Sequence, residues 1–386
     1  MIKDSKKINV LYFLEQDSKY GASQSAKIMI TELVKSEKVR AHVAVPYRFD
    51  DYDYYKKIGC EVIRLPYTYC VIEKNKNIFM WAIKFIVRGI EYFVGNVLTI
   101  LIVPHKINMR DIDLIHCNSS RLDIAALVAD RTKKNLIWHV REFGKGDFNR
   151  YYYRRNYINF MNQKGSLFIM VSESIRKEWI SRGLSESKCI RVYNGVCQNQ
   201  LEKTRRHDKN YKIIMAGGIT KAKGQWQAIE ALNILRNNNL YLDFWGDGKK
   251  EYIDKLKNRV KECSLENNVR FCGYTNELSK ILKDYDCGLM CSDFEAFGRV
   301  TAEYMMAGLV VVVSDSGANM ELIEDLKSGI VYKAKDVENL AIKIQNILDM
   351  STDNRNSISE CAKERARNLF LAQTNAANIY QIYTSL

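Results

Sequence analysis

Short runs of apolar, often β-branched residues alternate with longer amphipathic stretches, and this alternation runs through the chain in two separate series. Strands separated by helix-length segments predict right-handed βαβ units and a parallel sheet. Two such series therefore predict an α/β protein with two Rossmann-like, doubly wound domains. The expected strands are residues 7–13, 41–45, 114–116, 136–140 and 167–171 in the first series, which also has helices over 21–34 and 121–131, and residues 212–216, 240–245, 269–272, 287–290 and 310–314 in the second.

The two series meet in a polar, charged stretch at residues 197–210, which we interpret as the connection between domains. We expect a first domain over residues 1–200 and a second over residues 208–371. The 386 residues suffice to bury two cores of ordinary size. Ligands of doubly wound sheets bind beyond the carboxyl ends of the strands, so the cleft between the domains is the expected site.

Charge is distributed unevenly between the two halves. Residues 1–200 carry a net charge of +13 and the remaining residues only +1. A positive field confined to one half suggests an anionic partner, which is a phosphorylated acceptor, a membrane surface or nucleic acid, although a solvated basic surface is the plainer alternative. The ten cysteines show no Cys-x-x-Cys pair, and the start of the chain shows no secretory signal. These features predict buried, reduced thiols in a cytoplasmic protein.

Residues 78–104 are strongly apolar, but Lys84, Arg88 and Glu91 interrupt them. The longest uncharged part has 13 residues, fewer than the roughly 20 that span a bilayer. Aromatic residues beside two cations are typical of a helix that lies in a membrane interface. We therefore expect contact with an anionic membrane surface, with a helical hairpin packed on the core as the alternative.

Two carboxylates flank a glycine-containing turn in the second half, at Glu295 and Glu303. Phe297 and Gly298 between them predict the start of a helix, whose free amides and positive dipole end suit a diphosphate. A helix through both carboxylates would separate them by about 12 Å. A nucleotide-sugar carries hydroxyls on both sides of its diphosphate, and the two carboxylates match that layout. A capped surface helix with two solvated acids is the alternative.

The segment 295–303 resembles the Glu–seven residues–Glu signature of the retaining GT-B glycosyltransferases of the group 1 family. Further matches follow in the family's order and cover nearly the whole chain: 192–196 at the end of the acceptor domain, 216–224 at the opening of the donor domain, the glycine turn 245–248, and the turn 317–321. The resemblance implies a GT-B fold, a nucleotide-sugar donor linked to UDP or GDP, and a lipid-linked or oligosaccharide acceptor in bacterial capsule, O-antigen or exopolysaccharide synthesis. It also implies that residues 372–386 pack on the first domain as a crossing helix.

The same resemblance assigns roles to residues. Glu303 would bind the ribose and Glu295 the transferred sugar, while Lys223 would neutralise the leaving diphosphate. No metal or other cofactor is then required, and we interpret Asp111 and Asp113, which have the spacing of a metal pair, as loop residues. The implied catalytic residues are Glu295, His139 and Lys223, and the implied donor-binding residues are Gly21, Gly217, Gly218, Lys223, Gly246, Phe297, Gly298, Arg299 and Glu303.

The chain departs from the family at two positions. Gly218 stands where the family commonly has an arginine, so Lys221 or Arg299 would supply that charge. Either His139 or Arg141 occupies the position of the family's active-site histidine, and His116 is expected to pack beneath the cleft. The alternative functions are a non-catalytic nucleotide-sugar-binding partner protein, a nucleotide-sugar epimerase, and a nucleic-acid binder suggested by the Tyr/Arg run 150–155. The acidic signature disfavours the nucleic-acid binder.

Overall fold

A computed structural model of the protein describes residues 7–16, 21–74, 77–144, 150–198 and 210–386. The chain divides into two compact units. Unit 1 comprises Met1–Gly195 with Ala372–Leu386, and unit 2 comprises Val196–Leu371.

The strands of unit 1 are β1 (Ile8–Phe13), β2 (Val39–Pro46), β3 (Glu61–Leu65), β4 (Val71–Glu73), β5 (Leu114–Cys117), β6 (Asn135–Val140), β7 (Arg150–Tyr152), β8 (Leu167–Met170) and β9 (Cys189–Arg191). Seven of them form a parallel sheet with the order β3-β2-β1-β5-β6-β8-β9. The other two, β4 and β7, form a separate antiparallel pair. The helices are α1 (Gly21–Lys35), α2 (Tyr52–Lys57), α3 (Ile78–Lys106), α4 (Ile124–Thr132), α5 (Tyr157–Lys164) and α6 (Glu173–Ser181).

The strands of unit 2 are β10 (Tyr211–Ala216), β11 (Leu240–Trp245), β12 (Val269–Gly273), β13 (Cys287–Met290), β14 (Val310–Ser314) and β15 (Ile330–Tyr332). They form a six-stranded parallel sheet with the order β12-β11-β10-β13-β14-β15. Its helices are α7 (Gln225–Leu235), α8 (Lys250–Glu262), α9 (Leu278–Ile281), α10 (Arg299–Met306), α11 (Asn319–Leu322), α12 (Val337–Asp349) and α13 (Thr352–Phe370). The last helix, α14 (Ala372–Thr384), belongs to unit 1 and packs against α1.

The prediction of two doubly wound α/β units is confirmed. Helices cover both faces of a parallel sheet, so its strands appear in sequence as continuous apolar runs. The five residues of β14 are all buried, and four of them are valines. This pattern explains why the central strands were visible in the sequence alone.

Residues 78–104 form one continuous helix, so the alternative of a helical hairpin is wrong. The helix α3 has 29 residues, and the side chain of Asn77 caps its first turn by accepting from the Met80 amide at 3.1 Å. By length and composition alone, α3 qualifies as a membrane-crossing helix, with a mean hydropathy of 1.7 and one third of its most apolar window buried. Counting only consecutive uncharged residues therefore underestimates the length of the apolar helix that this segment forms.

Candidate functional site

The strand order of unit 2 reverses between β10 and β13, which are parallel neighbours at the centre of the sheet. Loops that leave the carboxyl ends of two such strands diverge to opposite sides and leave a crevice, where ligands of this fold class bind. The loop after β10 carries Gly217, Gly218 and Lys223, and the loop after β13 carries Glu295. Four of the predicted site residues therefore lie at the reversal point of unit 2.

Glycines allow the neighbouring loops after β10 and β11 to touch. The Gly217 amide donates to the Trp245 carbonyl at 2.8 Å, and a Cβ on Gly246 would lie only 1.9 Å from the Gly217 carbonyl oxygen. Gly246 also has φ of 149°, a conformation that side chains other than glycine rarely adopt. Gly218 is exposed, and a Cβ there would meet only Thr220, at 4.0 Å. The position that carries arginine in the family is thus open space in this protein.

An ion pair links the two loops across the reversal point. Lys223 Nζ donates to Glu295 Oε2 at 2.8 Å, and the side chains are 34% and 13% exposed. The Glu295 loop is itself held by the turn at Gly317, because the Ala318 amide donates to the Glu295 carbonyl at 2.8 Å. A Cβ on Gly317 would lie 2.3 Å from that same oxygen. The carboxylate is therefore fixed in place beside an accessible cation.

The helix α10 begins directly after this loop. Gly298 caps it in the left-handed conformation, with φ of 86°, and offers no side chain to the first amides. The first intrahelical bond runs from the Ala302 amide to the Gly298 carbonyl, so the amides of Arg299, Val300 and Thr301 point out of the helix start. This end of a helix attracts anions.

Buried polar atoms that have no hydrogen-bond partner in the described part of the chain lie at the start of α10. They include Thr301 Oγ1 and Asn319 Oδ1, which both lie 3.4 Å from the place that a Cβ on Gly298 would occupy. Both residues are fully buried. Unsatisfied buried polar atoms are uncommon in native structures, so they mark the start of α10 as a candidate site. Phe297 is buried and packs edge-on against Phe370, so its side chain anchors the turn to unit 2.

Glu303 lies one turn into α10 and accepts from Arg299 Nε at 2.8 Å. The two side chains are about equally accessible, at 20% for Arg299 and 21% for Glu303. Glu295 precedes the helix, so the separation of about 12 Å expected from a helix through both carboxylates does not apply. The two predicted carboxylates are therefore each paired with a predicted cation: Glu295 with Lys223, and Glu303 with Arg299.

Gly21 lies in unit 1 at the start of α1, and a Cβ there would meet no atom of the described residues within 4 Å. The reversal point of this sheet falls between β1 and β5. It too is bridged by an ion pair, from Arg121 Nε to Glu15 Oε1 at 2.7 Å. Nothing in the sequence singled out Glu15 or Arg121, because the two residues are 106 positions apart and neither belongs to a recognisable motif.

His139 and Arg141 lie at the end of β6 in a buried polar cluster. His139 is fully buried, with its Nδ1 3.3 Å from His116 Nε2 and 3.3 Å from an Arg141 nitrogen, and its Nε2 has no partner among the described residues. Arg141 is 6% exposed and donates to Asn118 at 2.8 Å and to Asn194. The structure does not separate the two candidates by exposure, since both are buried. The role of His139 stays a prediction.

Burial sets the protonation of this cluster. Desolvation, reinforced by the Arg141 charge, lowers the pKa of His116 to about 3. The same causes, together with His116, lower the pKa of His139 well below its usual value. Burial also lowers the pKa of Arg141 to about 10, which still leaves it a cation at neutral pH. The cluster is thus one buried positive charge beside two neutral imidazoles, and the Tyr383 hydroxyl reaches His116 Nδ1 from α14 at 2.7 Å.

Asp111 and Asp113 accept hydrogen bonds in the loop before β5. Asp113 accepts from the Asn9 amide at 2.7 Å, and Asp111 accepts from Asn108 at 2.9 Å. Within the ranges that the structure describes, no group of three or more histidine, cysteine, aspartate or glutamate side chains is placed to hold a metal ion.

Comparison with known families accounts for both units. Residues 198–365 match the family Glycosyl transferases group 1, and residues 21–199 match Glycosyltransferase Family 4. An uncharacterised glycosyltransferase of Methanocaldococcus jannaschii is 30% identical over 47% of this chain and 50% of its own length. A Campylobacter jejuni N-acetylgalactosaminyltransferase, named for an N-acetylgalactosamine-N,N'-diacetylbacillosaminyl-diphospho-undecaprenol acceptor, is 27% identical over 54% of this chain and 58% of its own length. The chain thus spans only about half the length of these two curated relatives.

Solved structures agree with the fold. Anabaena HepE in complex with UDP-glucose is 21% identical, with a TM-score of 0.78 over 98% of this chain and 100% of that one. A glycosyltransferase of Rickettsia africae is 18% identical, with a TM-score of 0.79 over 99% of each chain. Both support the two-unit architecture described above.

Proposed function

Since this chain carries the group 1 and family 4 glycosyltransferase domains on a GT-B fold, we propose that it is a retaining, metal-independent glycosyltransferase. It moves a hexose from a UDP- or GDP-linked donor to a lipid-linked or glycan acceptor in the synthesis of a bacterial surface polysaccharide. The observation that carries the proposal is the Lys223–Glu295 ion pair at the reversal point of unit 2, beside the open start of α10.

The diphosphate of the donor fits the start of α10. Negative charge grows on the leaving diphosphate as the bond to the sugar breaks, and groups fixed in advance around that charge lower the barrier. Lys223 supplies one cation, and the first amides of α10 supply oriented dipoles. Arg299, one residue into the helix, supplies a second cation and replaces the charge that Gly218 cannot provide. These groups together do the work that a divalent ion does in other transferases, which is the basis for proposing metal independence.

The two carboxylates hold the parts of the donor on either side of the diphosphate. Glu303 accepts from the ribose hydroxyls and Glu295 from the hydroxyls of the transferred sugar. Each carboxylate already has a cation partner, so neither is left as an unpaired charge when a neutral sugar arrives. Retention follows when the acceptor attacks the face that the diphosphate leaves, with the diphosphate itself taking the acceptor proton.

The proposed setting is the inner face of a cell membrane. The Campylobacter jejuni relative is named for a diphospho-undecaprenol acceptor, and Anabaena HepE was solved with UDP-glucose. The net charge of +13 in residues 1–200 suits an acceptor with a phosphorylated lipid and an anionic membrane surface.

Transfer from labelled UDP- and GDP-hexoses, followed by assignment of the product anomer by NMR, tests this function. Glu303→Ala should reduce kcat/KM at least tenfold, an effect of about 1.4 kcal/mol on the barrier. Lys327→Ala is the matched control, because this unit 2 lysine is 71% exposed and pairs with Glu324, three residues away in the chain. An inverted product would refute retention, and full activity of Glu303→Ala would refute the assignment of the donor site.

A second candidate is a protein that binds the nucleotide-sugar without transferring it. The open space at Gly218, in place of a phosphate-binding arginine, is the observation that favours it. Steady release of nucleoside diphosphate in the presence of an acceptor separates the two candidates, because a binding protein releases none.

A further inference from the structure

The outward face of α3 is apolar from one end of the helix to the other. Phe79 and Phe93, fourteen residues apart, expose 74% and 62% of their surface. A helix on the surface of a soluble domain normally turns charged and polar side chains outward, which makes this face the reverse of the usual pattern. We call it the α3 outer face, and it is represented by Phe79, Ile86, Ile90, Phe93, Val97 and Leu101.

The inward face of α3 consists largely of small or polar residues and fastens the helix to unit 1. A Cβ on Gly95 would lie 2.2 Å from the Pro66 carbonyl oxygen, so the helix touches the backbone of the domain at its middle. The Tyr92 hydroxyl donates to the buried Asp123, and Asn96 is buried as well. The fold therefore uses the inward residues and leaves the apolar outer side chains without a function in the unit itself.

Exposed cations of α3 lie on the side away from its outer face. Lys84, Arg88 and Lys106 are spaced by four and eighteen residues, which places them together on one side of a helix with about 3.6 residues per turn, and Arg88 pairs with Glu91. An amphipathic helix that lies in a bilayer interface carries its cations on the polar face, where they meet anionic head groups. The whole first half of the chain adds a field of the same sign, with its net charge of +13.

Aromatic side chains lie beside the first half of the helix. The Trp81 ring is 5.3 Å from Phe85 and 5.5 Å from Tyr151 on β7, and its Nε1 donates to the Glu73 carbonyl at 3.1 Å. Tryptophan and tyrosine are enriched at the level of lipid head groups, because one end of the side chain is apolar and the other is polar. Tyr151 remains 36% exposed at this border.

We propose that the α3 outer face lies in the plane of an anionic lipid bilayer, with its apolar side chains among the upper acyl chains. Crossing the bilayer would require α3 to leave its contacts at Tyr92 and Gly95 and to bury Lys84 and Arg88 in hydrocarbon, which is costly. A second copy of the chain would bring two strongly positive surfaces together, whereas anionic lipid satisfies both the apolar face and the cations. The inference rests on the proposed function only in taking the inner face of a cell membrane as the place where the protein works.

Sedimentation with vesicles of phosphatidylglycerol and phosphatidylcholine in equal amounts tests the proposal without any nucleotide or sugar. Ile90→Glu with Val97→Glu places two charges on the outer face, at residues that are 59% and 56% exposed. The matched control is Ile234→Glu with Ile342→Glu, at residues of unit 2 that are 51% and 56% exposed. The outer-face variant should bind these vesicles at least tenfold more weakly than the wild type, and the control variant should bind as the wild type does.

Melting temperatures equal to that of the wild type would establish that both variants are folded, which the exposure of all four residues predicts. Pure phosphatidylcholine vesicles should bind the wild type more weakly, as should high salt, because both remove the contribution of the cations. Equal binding of the two variants would overturn the proposal. So would a wild type that ignores vesicles but forms a dimer, in analytical ultracentrifugation, that the outer-face variant abolishes. Sugar transfer in either case would leave the proposed function standing.

Discussion

The ion pair between Lys223 and Glu295 leads to a prediction of opposite signs for its two partners. Lys223 must face both the Glu295 carboxylate, at 2.8 Å, and the diphosphate of a donor. Replacing Glu295 by glutamine removes the competing charge but keeps the shape of the side chain. Replacing Lys223 by alanine removes the cation itself. The first variant should therefore bind a nucleoside diphosphate at least as tightly as the wild type, and the second should bind it more weakly.

The expected changes in the free energy of diphosphate binding follow from the exposure of the ion pair and from the type of contact that each variant removes. Surface ion pairs contribute about 0.2 to 1 kcal/mol, and this pair belongs at the upper end because Glu295 is only 13% exposed. Release of about 1 kcal/mol corresponds to binding up to about fivefold tighter for Glu295→Gln. A hydrogen bond to a charged group contributes about 1.5 to 3 kcal/mol, so Lys223→Ala should weaken binding by at least about tenfold.

Isothermal titration of UDP and GDP into each variant at constant salt measures both effects. Glu295→Gln should also lose sugar transfer, because the glutamine no longer offers a full negative charge to the sugar hydroxyls. If Glu295→Gln weakens diphosphate binding as strongly as Lys223→Ala does, the pair is a structural clasp between two loops, and its assignment to the donor site is refuted.

Two further predictions concern stability. The pKa of His116 falls from an unfolded value near 6.5 to about 3 in the fold, because burial disfavours the charged imidazole. The contribution of the neutral imidazole to folding stability is therefore fully present above pH 6.5 and is lost as the pH falls towards 3. At about pH 5 the loss from this residue is about 2 kcal/mol, and His116→Gln should reduce the pH dependence of unfolding by that amount; an unchanged dependence would contradict the buried, neutral imidazole. Gly246→Ala should destabilise unit 2 by about 3 kcal/mol or more, since its Cβ would lie 1.9 Å from a carbonyl oxygen. Gly217 has φ of 134°, but a Cβ there would meet no atom of the described residues within 4 Å, so Gly217→Ala should reduce stability only by the cost of backbone strain, about 1 to 3 kcal/mol. Urea denaturation compares the two variants, and equal losses would show that the contact between the loops yields easily.

Sequence patterns located the central strands well because those strands are buried on both faces. The bounds of β11, β13 and β14 agree with the predicted residues, while β3, β9 and β15 went unnoticed. These three lie at sheet edges, are short, and β3 carries the charged residues Glu61 and Arg64. Hydrophobic periodicity is weakest for such strands.

For the candidate site, the sequence identified residue types but not their partners. The motif 295–303 predicted the turn at Gly298 and the helix start behind it, and both are present. The pairing of Lys223 with Glu295 spans 72 positions and depends on the reversal of strand order between β10 and β13. No local pattern encodes that reversal, so the pairing became visible only in the fold. The burial of both His139 and Arg141 depends likewise on packing from several elements.

A nucleotide-binding panel tests the proposed donor site of unit 2. UDP, GDP, ADP and CMP would be added in turn to the wild type and to Glu303→Ala, each with and without EDTA, and the melting temperature recorded. A ligand at about a hundred times its dissociation constant adds about 2.7 kcal/mol of stability. We predict that UDP or GDP stabilises the wild type equally with and without EDTA, and that Glu303→Ala loses most of this effect. Stabilisation by none of the four nucleotides, or only without EDTA, would contradict it.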